Sequence, residues 1–148
     1  MSNEKAKVLV SADEEQEVGR ALLAWLNTYP SKPHRINFEF LADDVPGLML
    51  STVQAAYKTR QYVLGGYEAQ YQFKIVYRVQ PDDNDSRLAA DELLNAIGAW
   101  AERNETKPDL GAALVRSVKR TSNASLFAVY EDGSRDHQIL MTLTYEVI

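Results

Sequence analysis

Residues 67–80 read Y-E-A-Q-Y-Q-F-K-I-V-Y-R-V-Q. Odd positions carry Tyr67, Ala69, Tyr71, Phe73, Ile75, Tyr77 and Val79; even positions carry Glu68, Gln70, Gln72, Lys74, Arg78 and Gln80, with Val76 the apolar exception. Successive side chains of a strand point to opposite faces, so this stretch is one long strand with an apolar and a polar face. At about 3.3 Å per residue it runs roughly 46 Å. A compact chain of this length has a radius of gyration of roughly 15 Å, a globule about 38 Å across. A regular strand of that length must bend around the body or project beyond it, and a projecting ribbon calls for another molecule to cover it.

The neighbouring sequence supplies a partner strand. Residues 48–64 read as extended with weaker alternation and lead through Gly65-Gly66 into the long strand. A two-residue Gly-Gly turn would set Arg60 opposite Tyr71 and Lys58 opposite Phe73, which puts charges on the apolar face. A three-residue loop over Gly65, Gly66 and Tyr67 pairs Val63 with Ala69, Tyr57 with Ile75 and Ala55 with Tyr77, so the faces match. In that register Lys58 lies opposite Lys74, with Arg60 and Arg78 on the same polar face as Gln70 and Gln72. Like charges facing across strands destabilise unless something neutralises them. Long basic side chains splayed into solvent, or blunting a strand edge, account for the pattern in one way. A basic ribbon set against an acidic neighbour or a phosphate backbone accounts for it in another. Lys58, Arg60, Gln70, Gln72, Lys74 and Arg78 are therefore the candidate subunit-interface residues, with protein favoured over DNA as the partner.

Residues 11–27 read as a first helix, with Ser11 and Glu14 in a capping-box pattern and Val18, Leu22, Trp25 and Leu26 as the buried stripe. The acidic group Asp13, Glu14, Glu15 and Glu17 reads as a solvated first turn. Pro30 and Pro33 end the helix, Ile36, Phe38 and Phe40 form a short half-buried strand, and residues 43–47 make a turn. P-D-D-N-D at 81–85 opens a second helix over about 86–103, on Leu93, Ile97 and Trp100. Residues 114–121 are a strand, and 126–130 with 137–147 form a closing hairpin about Asp132-Gly133. The pattern is a single α+β domain over 1–148, an antiparallel or mixed sheet flanked by two main helices with a long projecting β-hairpin; residues 1–10 read as a flexible lead-in.

The chain has 148 residues, 45% of them hydrophobic and 25% charged, the composition of an ordinary soluble domain. A net charge of −5 argues against nucleic-acid binding by the whole surface. Zero cysteines exclude disulfides, thiolate metal sites and a cysteine nucleophile. The start, M-S-N-E-K-A-K, has no apolar signal core, and no apolar run approaches membrane-spanning length, so the expectation is a soluble chain of cytoplasmic origin.

Catalytic signals are missing. His34 and His137 lack partners at metal-ligand spacing and read as surface histidines. No phosphate-binding glycine motif or nucleophile elbow is present. Asp82-Asp83-Asn84-Asp85 begins like a calcium loop but lacks the central glycine, and Leu93 stands where the bidentate glutamate belongs; a helix N-cap fits better. Trp25 and Trp100 read as core, and Asn123-Ala124-Ser125 as an unused sequon. The expectation is a non-enzyme without metal or cofactor.

R-I-N-F-E-F-L at 35–41, P-G-L-M-L-S at 46–51, the run from Tyr62 to Pro81, N-D-S-R-L at 84–88 and D-H-Q-I-L-M-T-L-T-Y-E-V-I at 136–148 resemble the minor capsid proteins of tailed bacteriophages and prophages. In size and element order the chain is also similar to the tail terminators of long-tailed phages. The resemblance covers nearly everything from about Asp13 on. It implies a virion protein of the neck, assembled in the bacterial cytoplasm as a homo-oligomeric, hexameric ring. Its partners would be the tail-tube protein and the head–tail connector, with DNA only as a passenger through the lumen. It implies no catalytic residues. Another minor capsid or head-completion protein, an adaptor that binds peptides by strand addition, and a small-ligand module with the sheet as pocket floor are the competing readings.

Overall fold

A computed structural model describes residues 14–41, 46–81 and 83–148, with the side chains of 54–58 outside the described set. Helix α1 spans Glu14–Leu26 and α2 Asn84–Arg103; the strands are β1 Ile36–Phe38, β2 Gly47–Gln61, β3 Tyr67–Val79, β4 Leu114–Arg120, β5 Ser125–Val129 and β6 Arg135–Val147. They form one mixed sheet ordered β1-β2-β3-β6-β4, with β5 also on β6. Only the β1–β2 pair is parallel. This is the α+β architecture that the sequence implies.

The long strand is the sheet's centre. All its residues from Tyr67 to Val79 pair with β6 from Val147 to Arg135, while β2 covers its other edge. Its length is matched by two neighbours at least as long, so the cover that the ribbon needs comes from its own chain. The part outside the ladder is the loop of residues 62–66.

That loop corrects the hairpin register. Gln61 pairs with Tyr67 across five loop residues, and Gly65 and Gly66 take φ of +96° and +80°. Val63 therefore sits in the loop instead of facing Ala69. Two irregularities in β2, at Thr52/Gln54 and Ala56/Arg60, move the pairing further. Ala55 faces Tyr71, Lys74 faces Ser51 and Arg78 faces Gly47, so the Lys58–Lys74 pair does not form. The first inserts one extra residue into β2 and the second two, and a single extra residue turns the side chains beyond it to the other face. The one at Thr52/Gln54 brings even-numbered Leu48 and Leu50 onto the face of odd-numbered Tyr77 and Ile75.

Both helices pack on this odd face of β3. Val18, Leu22, Trp25 and Leu26 of α1, Leu94, Ile97 and Ala101 of α2, and Tyr71, Phe73, Ile75, Ile139, Met141 and Leu143 of the sheet share one core. Trp25 and Trp100 join the helices with ring centroids 4.9 Å apart, and Trp25 Nε1 donates to the Thr106 carbonyl at 2.8 Å. Gly98 is the point of closest approach. A Cβ there would meet Arg120 Cδ at 2.5 Å, where that side chain crosses α2 to pair with Glu102 at 2.8 Å.

Local chemistry sets the element ends. Asp83 caps α2, its Oδ1 accepting from Ser86 N at 2.9 Å, which bears out the N-cap reading of the acidic run. Asn27 ties α1 to β1: its amide donates to Ile36 O at 3.0 Å, and its Oδ1 accepts from Ile36 N at 2.9 Å. Glu39, at φ +49°, ends β1 before Phe40. Ser11 and Asp13 of the expected first turn lie outside the described residues.

Candidate functional site: the open face and margins of the sheet

With both helices on one side, the opposite face of the sheet is formed by the even positions of β3 and the β6 residues in register with them. Gln70 lies beside Thr144, Gln72 beside Thr142, Lys74 beside Leu140, Val76 beside Gln138 and Arg78 beside Asp136. Arg60 joins this face opposite Glu68. The structure thus places Arg60, Gln70, Gln72, Lys74 and Arg78 together, as expected. Lys58 lies in β2, its side chain outside the described residues.

Two cations of this face already have partners. Arg78 holds Asp136 in a fork, Nε to Oδ1 at 2.8 Å and an NH2-group nitrogen to Oδ2 at 3.0 Å. Tyr130 donates to the same Oδ2 at 2.6 Å, and its ring lies 4.9 Å from the guanidinium carbon. Hydrogen bonding to Asp136 pushes Arg78 above the ordinary guanidinium range. Burial acts to raise the Asp136 carboxyl, but the bonds from Arg78 and Tyr130 outweigh it and hold it below the usual carboxylate value. Lys74 Nζ stands 4.3 Å from the centroid of the Phe127 ring, a cation–π contact. Between these charges and the loop end, Gln70, Gln72, Thr142 and Thr144 make an uncharged lane of hydrogen-bonding groups.

At the loop end, Glu146 accepts from Tyr62 Oη at 2.7 Å and pairs with Arg116 at 3.4 Å. The bond to Glu146 raises the Tyr62 hydroxyl pKa. Gly66 is obligatory: besides its left-handed φ, a Cβ there would stand 2.4 Å from the Val147 carbonyl oxygen. The anchored loop carries Val63 and Leu64 outward at 100% and 99% exposure.

Among the described residues, both margins of the sheet are strands without an outer partner over most of their length. On one, β1 covers β2 only over Leu48–Leu50, and among the described residues no strand lies on the outer edge of β2 beyond it. On the other, β4 and β5 lie end to end along β6, stitched across their junction by Thr121 N to Leu140 O at 2.8 Å. Phe38, Phe40 and Val53 at the first margin, and Leu114, Leu126, Phe127 and Val129 at the second, are exposed.

Three groups depart from the sequence reading. Glu14, expected in a solvated turn, is buried and accepts hydrogen bonds from Tyr67 and Tyr145. His137, expected on the surface, is buried with Nδ1 2.8 Å from Asp91 Oδ1. The Arg78–Asp136–Tyr130 cluster went unread, although Tyr130 and Asp136 flank the Asp132-Gly133 turn and their proximity follows from the hairpin. Nothing in one sequence announces the other two, which depend on helix–sheet docking.

An open cleft of ≈ 450 Å³ is lined by Arg78, Tyr130, Glu131, Asp132 and Ser134. An apolar groove of ≈ 200 Å³ between α1 and β1 is lined by Gln16, Gly19, Arg20, Leu23 and Phe38, with only Gln16 and Arg20 polar. Among the described residues no three metal-ligating side chains converge, and no described helix is long and apolar enough to cross a membrane.

No protein-family profile matches the sequence, and no curated protein does. In structure, the chain is similar to one from the virion of a native gene transfer agent particle. The TM-score is 0.53 at 15% identity, over 97% of this chain and 98% of the other. At that identity the likeness establishes a shared fold.

Proposed function

We propose that this chain is a structural protein of a phage-like virion, a tail-terminator-like ring subunit of the neck that caps the tail tube and joins it to the head connector. One observation carries the reading. The fold is similar, over 97% of this chain and 98% of the other, to that of a chain from a virion particle. The geometry fits the role: the sheet has two unpaired margins, and a subunit with different complementary surfaces at its two sides builds a ring when the rotation closes. In a hexameric ring the open face lines the lumen. Gln70, Gln72, Thr142 and Thr144 then present hydrogen-bonding but uncharged groups to passing DNA, while Arg78 is held by Asp136 and Lys74 lies over the Phe127 ring. Lys58, Arg60, Lys74 and Arg78 serve the subunit contact or the lumen wall.

Electron microscopy of the purified protein, alone and mixed with tail tubes, tests this. The expected images show rings of uniform diameter, or tubes that stop at a cap of added protein. Tubes that elongate unchanged in its presence, with no rings in its absence, would refute the role.

A further inference from the structure

Among the described residues Val63 and Leu64 are the most exposed large apolar side chains. The loop that carries them is nonetheless held in place. Tyr62 N donates to the Gly66 carbonyl at 3.2 Å and Gly65 N to the Tyr62 carbonyl at 3.3 Å, while the Tyr62 side chain is tied to Glu146. Fixing a loop with its two apolar side chains in water costs conformational entropy and recovers no burial within the chain. Adjacent apolar groups held out in this way mark a contact site. The same chain carries a socket, the apolar groove of ≈ 200 Å³ between α1 and β1. Gly19 keeps room in it, since a Cβ there would stand 3.1 Å from Tyr71 Oη and 3.8 Å from the Phe38 ring.

We propose that Val63 and Leu64 of one copy dock in the α1–β1 groove of the next copy. This rests on the ring reading above and names the contact that would build the ring. Size matches the two surfaces. An apolar cavity of about 150 Å³ takes up benzene, with its six carbons. The Val63 and Leu64 side chains bring seven carbons to a groove of ≈ 200 Å³. Charge permits the docking as well. Residues 61–66 carry none, and Arg20, the one charged residue of the groove, keeps its side chain 73% exposed beside Glu17, so no charge is buried. The loop does not reach the groove of its own copy. Phe38 is in register with Leu50, and Leu50 with Ile75, which lies eight residues along β3 from the strand's start at Tyr67, about 26 Å away. Knob and groove are different surfaces of one chain, so their contact is heterologous and closes into a ring when the rotation permits. Two side chains bury far less than the roughly 1,200 Å² of a stable pairwise interface, so isolated dimers are scarce and each copy is held by the two contacts it makes in the closed assembly.

The chain has no cysteine, so single introduced cysteines report the contact. Full-length Gln61→Cys, beside the knob, mixed with full-length Gln16→Cys, on the groove, and treated with a short bismaleimide is expected to give a covalent dimer that neither variant gives alone. Leu64→Asp should cut the oligomer fraction at least tenfold, while Leu88→Asp, exposed on α2 outside both surfaces, assembles as wild type; circular dichroism checks that both are folded. Rings that tolerate Leu64→Asp and give no Gln61–Gln16 cross-link would overturn the knob-and-groove contact and leave the ring reading standing. Cross-linking of Gln61→Cys with itself would overturn it in favour of paired loops. Rings intact in Leu64→Asp with capping of tail tubes lost would overturn it in favour of the tube as the loop's partner. A chain monomeric throughout, with no cross-link, would overturn it too, and capping of tail tubes would then decide the ring reading separately.

Discussion

The two faces of β3 come from one alternating stretch, yet they are completed in different ways. On the odd face Tyr71, Phe73 and Ile75 are buried beneath α1 and α2. On the even face Gln70, Gln72 and Lys74 lie beside Thr144, Thr142 and Leu140 and stay half-buried. The first face is finished within the chain and defines the fold. The second is compatible with solvent, as one side of an antiparallel sheet often is. The difference leaves the polar face and the margins, not the core, as surface available to other molecules.

Substitutions on the two faces sharpen that contrast. The largest expected effect is Phe73→Ala, which empties a fully buried site under both helices and costs about 4 kcal/mol, read as a lowered urea midpoint. Asp136→Asn, which weakens the fork with Arg78 and Tyr130, costs about 2 kcal/mol at neutral pH by the same measurement. The pH dependence has a definite sign. The folded Asp136 carboxyl lies below its unfolded value, so its stabilisation is present above about pH 4 and is lost as pH falls through the folded pKa. Denaturation of the Asp136→Asn variant should accordingly depend less on acid below that pH; an unchanged acid limb would assign the sensitivity to other carboxylates. Gly66→Ala, forced into a left-handed conformation against Val147, should cost more than about 1 kcal/mol. Smallest is Lys74→Ala on the open face, within about 0.5 kcal/mol of wild type. A loss as large as that of Phe73→Ala would show that the open face serves the fold, erasing the distinction between the faces.

Much of this was legible from the sequence because it depends on periodicity. The alternation in 67–80 and 139–147 marks the two central strands, and Val18, Leu22, Trp25 and Leu26 mark the buried side of α1. The register of β2 was not legible. Matching faces fixes which side chains share a side only while no residue is inserted, and the irregularities at Thr52/Gln54 and Ala56/Arg60 break that condition. They also explain why the alternation between Leu48 and Leu64 looks weak. The partners of the cations were not legible for a related reason: Lys74 and Arg78 meet Phe127 and Asp136, which come from segments more than fifty residues later. Glu14 likewise reads as a solvated helix start until docking brings Tyr67 and Tyr145 to it.

The claim that the chain's unfinished margins build a closed assembly is tested most directly by native mass spectrometry of the wild-type protein over a wide concentration range. The expected result is monomer passing to a single closed oligomer with little between them, its mass giving the copy number. An open ladder of sizes without limit, or monomer alone at every concentration, would contradict it.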